Sequence, residues 1–120
     1  MNHDKFLSAD VHYITDVHYY LDYNAFYEKV SFLTICFLFL DGKEQFNVKM
    51  RFNRVTSFSI YGFGDASNRL LGFRISDMKS YGFEKEMRYF VEDYEDDCIK
   101  FYCERYEMLS IEKINDEDPA

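Results

Sequence analysis

The chain has 120 residues, of which 48% are apolar and 20% aromatic, and it carries a net charge of −8 with a pI near 4.8. That length suits one domain able to bury about two-thirds of its unfolded surface, so no disulfide or metal staple is required. The acidic balance argues against phosphate-backbone binding, which needs clustered Lys and Arg, and leaves solubility or a basic partner as its physical consequences.

Thirteen Phe and eleven Tyr supply the aromatic content, without any Trp. Aromatic and β-branched residues suit pleated, half-buried surfaces, so composition points to a β-rich domain. Cys36, Cys98 and Cys103 form no CxxC pair. On one continuous strand Cys98 and Cys103 would face opposite ways, so free thiols in a reducing compartment are expected. The N-terminal residues lack a charged-then-apolar secretory pattern, and the longest apolar run, Phe32–Leu40, is far short of a bilayer span. A soluble cytoplasmic protein is the expectation.

Residues 1–10 read as a flexible lead-in. Val11–Leu21 alternates with period two: Val11, Tyr13, Val17, Tyr19 and Leu21 fall on the buried face, and His12, Asp16, His18, Tyr20 and Asp22 on the wet one, with Ile14 out of phase. Asp22-Tyr23-Asn24 is the expected turn. Val30–Leu40 is apolar on both faces and predicts a central strand covered on both sides. Asp41-Gly42-Lys43-Glu44 predicts a tight hairpin. The return strand buries Phe46, Val48, Met50 and Phe52. A phase shift near Thr56-Ser57 predicts a bulge. Gly62–Asn68 reads as a loop, Leu70–Ser76 as a strand, and Ser76–Glu86 as a loop or helical turn.

From Glu84 onward there are 13 acidic residues against 5 basic ones, which accounts for the whole net charge. Arg88–Tyr94 alternates, with Tyr89 and Val91 on one face and Phe90 and Tyr94 on the other. Glu95-Asp96-Asp97 makes an acidic corner. Ile99, Phe101 and Cys103 are the inner set of the next strand, with a bend past Glu104. Residues 115–120 read as a disordered acidic tail. Six to eight strands with little helix imply a single antiparallel β-sandwich, roll or small barrel spanning 1–120.

Few residue patterns suggest chemistry. His12 and His18 lie about 20 Å apart along an extended strand, too far to share an ion, so Asp16 and His18 read as a surface pair. Glu92, Asp93, Glu95, Asp96 and Asp97 lack the glycine and spacing of an EF-hand. Nothing places a carboxylate pair in a cleft, and neither a GxSxG nor a full dinucleotide fingerprint occurs. The reading is therefore non-catalytic, with no catalytic residue, cofactor or metal. Tyrosines interleaved with acids in the last third suit an interface, since Tyr combines apolar area with a polar tip. The expected protein-binding surface is Tyr89, Glu92, Tyr94, Glu95, Asp96, Asp97, Tyr102, Glu104 and Tyr106.

The segment Leu71-Gly72-Phe73-Arg74-Ile75, then Arg88-Tyr89-Phe90-Val91-Glu92-Asp93-Tyr94-Glu95-Asp96, then Ile99-Lys100-Phe101-Tyr102-Cys103, resembles a pattern of small bacterial immunity-type proteins of toxin systems. It covers about 40 residues, mostly strand patterning with acids at the turn. The resemblance implies a cytoplasmic protein that binds and blocks one toxin, often a basic nuclease, and it brings no catalytic residues. The rival class is a β-barrel holding a small apolar ligand among Phe32, Phe37, Phe39, Phe46 and Phe52. Exposed strand edges in so aromatic a sheet also offer a route to a homodimer.

Overall fold

The computed structural model describes residues 3–9, 11–61, 68–79, 87–95 and 98–114. A short helix α1 (His3–Ser8) leads into nine strands: β1 (His12–Tyr23), β2 (Lys29–Asp41), β3 (Glu44–Asn53), β4 (Thr56–Ile60), β5 (Arg69–Leu70), β6 (Phe73–Asp77), β7 (Tyr89–Asp93), β8 (Ile99–Cys103) and β9 (Arg105–Ile114). They form two antiparallel sheets, ordered β5-β1-β2-β3-β9 and β4-β8-β7-β6, packed as an open sandwich rather than a closed barrel. No helix among the described residues is long and apolar enough to cross a membrane.

The alternation of each strand decides what enters the space between the sheets. Leu33, Ile35, Phe37 and Phe39 of β2 and Val48, Met50 and Phe52 of β3 point inward and are fully buried or nearly so. Val91, Ile99, Phe101 and Cys103 meet them from the smaller sheet. The rings fill this space: Phe37 lies 5.0 Å from Phe73, and Phe52 lies 4.9 Å from Phe101. The lining imagined for a ligand-holding barrel is thus the packed core, apart from Phe32, which points to the opposite face of its sheet.

Three features were misjudged from sequence. A bulge between Ile14 and Asp16 shifts the phase of β1, so His12 and Ile14 turn inward ahead of it and Val17 after it. His12 is therefore a core residue and shares no face with Asp16 and His18. The lead-in forms α1, whose Phe6 is fully buried against Phe37 and Phe39, closing one end of the sandwich. β2 is central, but among the described residues no second sheet lies on its outer side. There Val30, Phe32 and Thr34 are buried, while Leu40 is exposed.

The turns follow the expected chemistry. Gly42 adopts φ +65° between β2 and β3, the first central position of a tight hairpin, where a positive φ suits glycine. The expected bulge is present, since the β4–β8 register shifts between Thr56 and Ser59. Besides the passage from β4 to β5, most of which lies outside the described residues, the chain passes between the sheets at Arg54-Val55, Leu71-Gly72 and Glu104. At the first crossing, the Arg54 and Val55 amides both donate to the Ser31 carbonyl, at 2.7 and 3.2 Å. The run expected as one strand from Leu70 to Ser76 is split by the second crossing into β5 and β6. The expected loop at Gly62–Asn68 and the region Ser76–Glu86 lie for the most part outside the described residues, as do Asp96, Asp97 and residues 115–120.

Candidate interaction surface

The residues expected to form one acidic, tyrosine-bearing surface are distributed over four places. Tyr89 and Tyr106 face the interior, with ring centroids 5.0 Å apart in a T-shaped contact. Burial, together with the neighbouring Tyr89, raises the Tyr106 phenol above its ordinary pKa. Glu92 and Tyr102 lie on the outer face of the smaller sheet, where Glu92 accepts from Arg74 at 2.7 Å and Tyr102 packs on Phe90 at 4.7 Å. Tyr94 and Glu95 are exposed at the β7–β8 turn, and the Arg74 guanidinium sits 4.8 Å over the Tyr94 ring. Glu104 lies at the other end of β8, bonded to Arg54 at 2.7 Å.

Asp93, one of the corner acids, is turned inward and completely buried. One oxygen accepts from the Gly72 amide at 2.9 Å and the Glu95 amide at 3.3 Å; the other accepts from the Cys98 thiol at 3.0 Å. A buried carboxylate with its acceptor sites filled in this way is a fastening of the turn. The cysteines are free. Burial pushes the Cys103 thiol up to about 12, which leaves it without thiolate character. Among the described residues no three metal-binding side chains converge.

The concentration of exposed apolar surface lies elsewhere, at the β1–β2 hairpin. This hairpin runs past the edge of the smaller sheet, whose last contact is Phe58 stacked on Tyr19 at 6.1 Å. Beyond it, Leu21 is 58% exposed, Tyr23 63%, Phe26 69% and Tyr27 88%. The connecting loop is nevertheless well fastened. The Asn24 side-chain oxygen accepts from the amides of Phe26 and Glu28 at 2.9 and 3.0 Å. Its backbone amide donates to the Glu28 carbonyl at 2.9 Å, and the Tyr27 amide donates to the Asn24 carbonyl at 3.1 Å. Arg54 bridges Glu28 at 3.1 Å and Glu104 at 2.7 Å, tying the loop to the sandwich. Tyr27 is held at φ +60°, a conformation that costs a side-chain-bearing residue about 1–2 kcal/mol. The expected turn at Asp22-Tyr23-Asn24 is thus displaced to Asn24–Glu28. The sequence reading missed these residues; the signal that could have found them is the pair of adjacent aromatics, Phe26-Tyr27, close to an expected turn.

Behind this loop, on the outer face of the larger sheet, lies an open cleft of about 460 Å³. Its floor is Tyr20 stacked on Phe32 at 5.4 Å, with the Arg51 guanidinium 5.9 Å over the Phe32 ring. Arg51 donates from both Nε and Nη2 to one Glu107 oxygen, an ion pair that favours its charged form. Arg105 and Asn53 complete the side nearest β9. The lining contains no His, Cys, Ser or Lys; it offers aromatic faces, the Asp22 and Glu107 carboxylates and hydrogen-bonding groups.

No protein-family model matches the chain, and no curated protein or solved structure shows significant similarity to it.

Proposed function

We propose that this domain is a non-catalytic protein-binding module whose main anchor is the β1–β2 hairpin end. One observation carries the reading: Phe26 and Tyr27 project into solvent from a loop locked by Asn24, where they add nothing to the core. Rigid, exposed aromatics are the side chains that dominate binding energy at protein interfaces, because they bury large area at little conformational cost. The net charge of −8 favours a basic partner and steers its approach. The resemblance of residues 70–109 to immunity-type proteins adds a partner class, a basic toxin such as a nuclease. In this reading Tyr94 and Glu95 at the opposite end of β8 act through long-range steering, and the aromatic hairpin supplies the contact.

The test is co-purification and titration with the product of the adjoining gene, using wild type, Phe26→Ser/Tyr27→Ser and Glu95→Lys. The hairpin variant is expected to lose affinity at least tenfold at any salt concentration. Glu95→Lys is expected to slow association only at low salt, because exposed charges separated by more than about 10 Å are screened at about 0.1 M. Equal affinity for the hairpin variant would rule out this anchor.

A further inference from the structure

β1 lies next to the outermost strand of the larger sheet, and among the described residues most of its outer edge is unpaired. β5 pairs with it only at His12 and Tyr13, and the Asn68 carbonyl accepts from the Ile14 amide. From Asp16 to Tyr23, β1 is paired with β2 alone among the described residues. Natural edges are usually blunted by Lys, Pro or very short strands. This one has neither Lys, Arg nor Pro between His12 and Tyr23. Along it the inward-pointing Tyr19, stacked on Phe58 of the smaller sheet, is 50% exposed, and Leu21 and Tyr23 beyond that contact are 58% and 63% exposed. A free strand edge flanked by alternating apolar side chains is the geometry of strand addition.

We propose that the occupant of this edge is a second copy of the chain, β1 against β1, antiparallel about a two-fold axis through Tyr20. The argument is one of complementarity. An antiparallel pairing about an axis perpendicular to the sheet keeps inward side chains on one side only when it is centred on a residue. Centring on Tyr20 opposes His18 to Asp22 of the second copy, twice over by symmetry, on the outer face. It opposes Tyr19 to Leu21 and Val17 to Tyr23 on the inner face, again twice each. Centring on Tyr19 instead would set Asp16 directly against Asp22, a like-charge pair that opposes association. Centring on Leu21 would leave His18 facing Asn24 and Asp22 facing Tyr20, without either ion pair. His18 and Asp22 are both exposed, His18 beside the Tyr20 ring at 4.8 Å and Asp22 with one oxygen accepting from the Tyr23 amide at 2.8 Å. The acidic excess of the chain belongs to residues beyond Glu84, so two copies do not bring it to this edge. The joined structure is a continuous sheet of two five-stranded halves. No pair in this register uses Phe26 or Tyr27, so the inference goes beyond the partner-binding reading and stands apart from it.

The experiment is sedimentation equilibrium of the full chain over micromolar to millimolar concentration at about pH 6. The wild type is expected to pass from monomer to dimer with concentration. His18→Asp sets like charges opposite each other, and Asp22→His does the same with the other sign. Each is expected to weaken dimerisation at least tenfold, with unchanged circular dichroism. The double variant His18→Asp/Asp22→His restores the opposed pair and is expected to recover the wild-type constant. A wild type that stays monomeric throughout overturns the pairing, as does a double variant no better than the singles. A monomer that still binds its partner refutes only the dimer; a dimer that binds no partner refutes only the hairpin reading.

Discussion

His12 sits where a strand residue with a polar side chain should not, enclosed by Phe6, Phe37, Phe39 and Phe73. Its Nε2–H donates to the Phe6 carbonyl at 2.5 Å, fastening α1 to β1, while Nδ1 has no partner among the described residues. Burial lowers its pKa below the ordinary 6.5, against the smaller opposing effect of the Phe6 carbonyl. The unfolded chain therefore binds this proton more readily than the native one. Stability contributed by neutral His12 is fully present above about pH 6.5 and falls as pH drops below it, by up to about 1.4 kcal/mol per pH unit. Urea midpoints at pH 7.5 and 5.5 are expected to differ in the wild type and to converge in His12→Gln. Gly72 is a second single-residue constraint. A Cβ there would lie 2.8 Å from Glu95 Cγ and 3.0 Å from the Glu95 amide nitrogen, inside the turn that Asp93 fastens. Gly72→Ala is expected to cost about 1–3 kcal/mol by overpacking, measurable by urea denaturation. Neither role was legible in the sequence. The bulge at Thr15 that turns His12 inward has no local signature, and Gly72 is constrained by a turn more than twenty residues away.

At the level of elements, the Asn24–Glu28 loop of the β1–β2 hairpin carries a conformational cost that its exposed aromatics do not offset within the domain. Holding Tyr27 at φ +60° with its ring in water stabilises nothing in the domain. Tyr27→Gly is expected to raise stability by about 1 kcal/mol, seen as a higher urea midpoint, while weakening partner binding. A decrease in stability would show that the ring has an intramolecular role. Strand periods were largely readable: the inward sets of β2, β3, β7 and β8 follow the apolar alternation, as do the Gly42 turn and the Thr56–Ser59 bulge. The surface was less readable because alternation tells which side a residue faces, not whether a second layer reaches it. Tyr19, Leu21 and Tyr23 have the same pattern as core residues, yet Tyr19 is only half covered, by Phe58, and Leu21 and Tyr23 lie beyond that contact.

Over the whole molecule, a single antiparallel β domain, whether sandwich, roll or small barrel, was evident from composition and turn spacing. The assignment of strands to sheets was not. Three short crossings at Arg54-Val55, Leu71-Gly72 and Glu104 send neighbouring strands to opposite layers. They also separate residues that are close in sequence, so the last third divides between a buried contact, an outer face, a turn and the far end of β8. In the proposed reading the charge of −8 acts at this scale as a long-range field and the aromatic hairpin end acts at contact. The measurement that bears most directly on this account is a calorimetric titration of the adjoining gene product into wild type and Phe26→Ser/Tyr27→Ser, with thermal melts of both. The account predicts at least a tenfold loss of affinity in the variant with its melting temperature kept or raised. Unchanged affinity in a well-folded variant would contradict it.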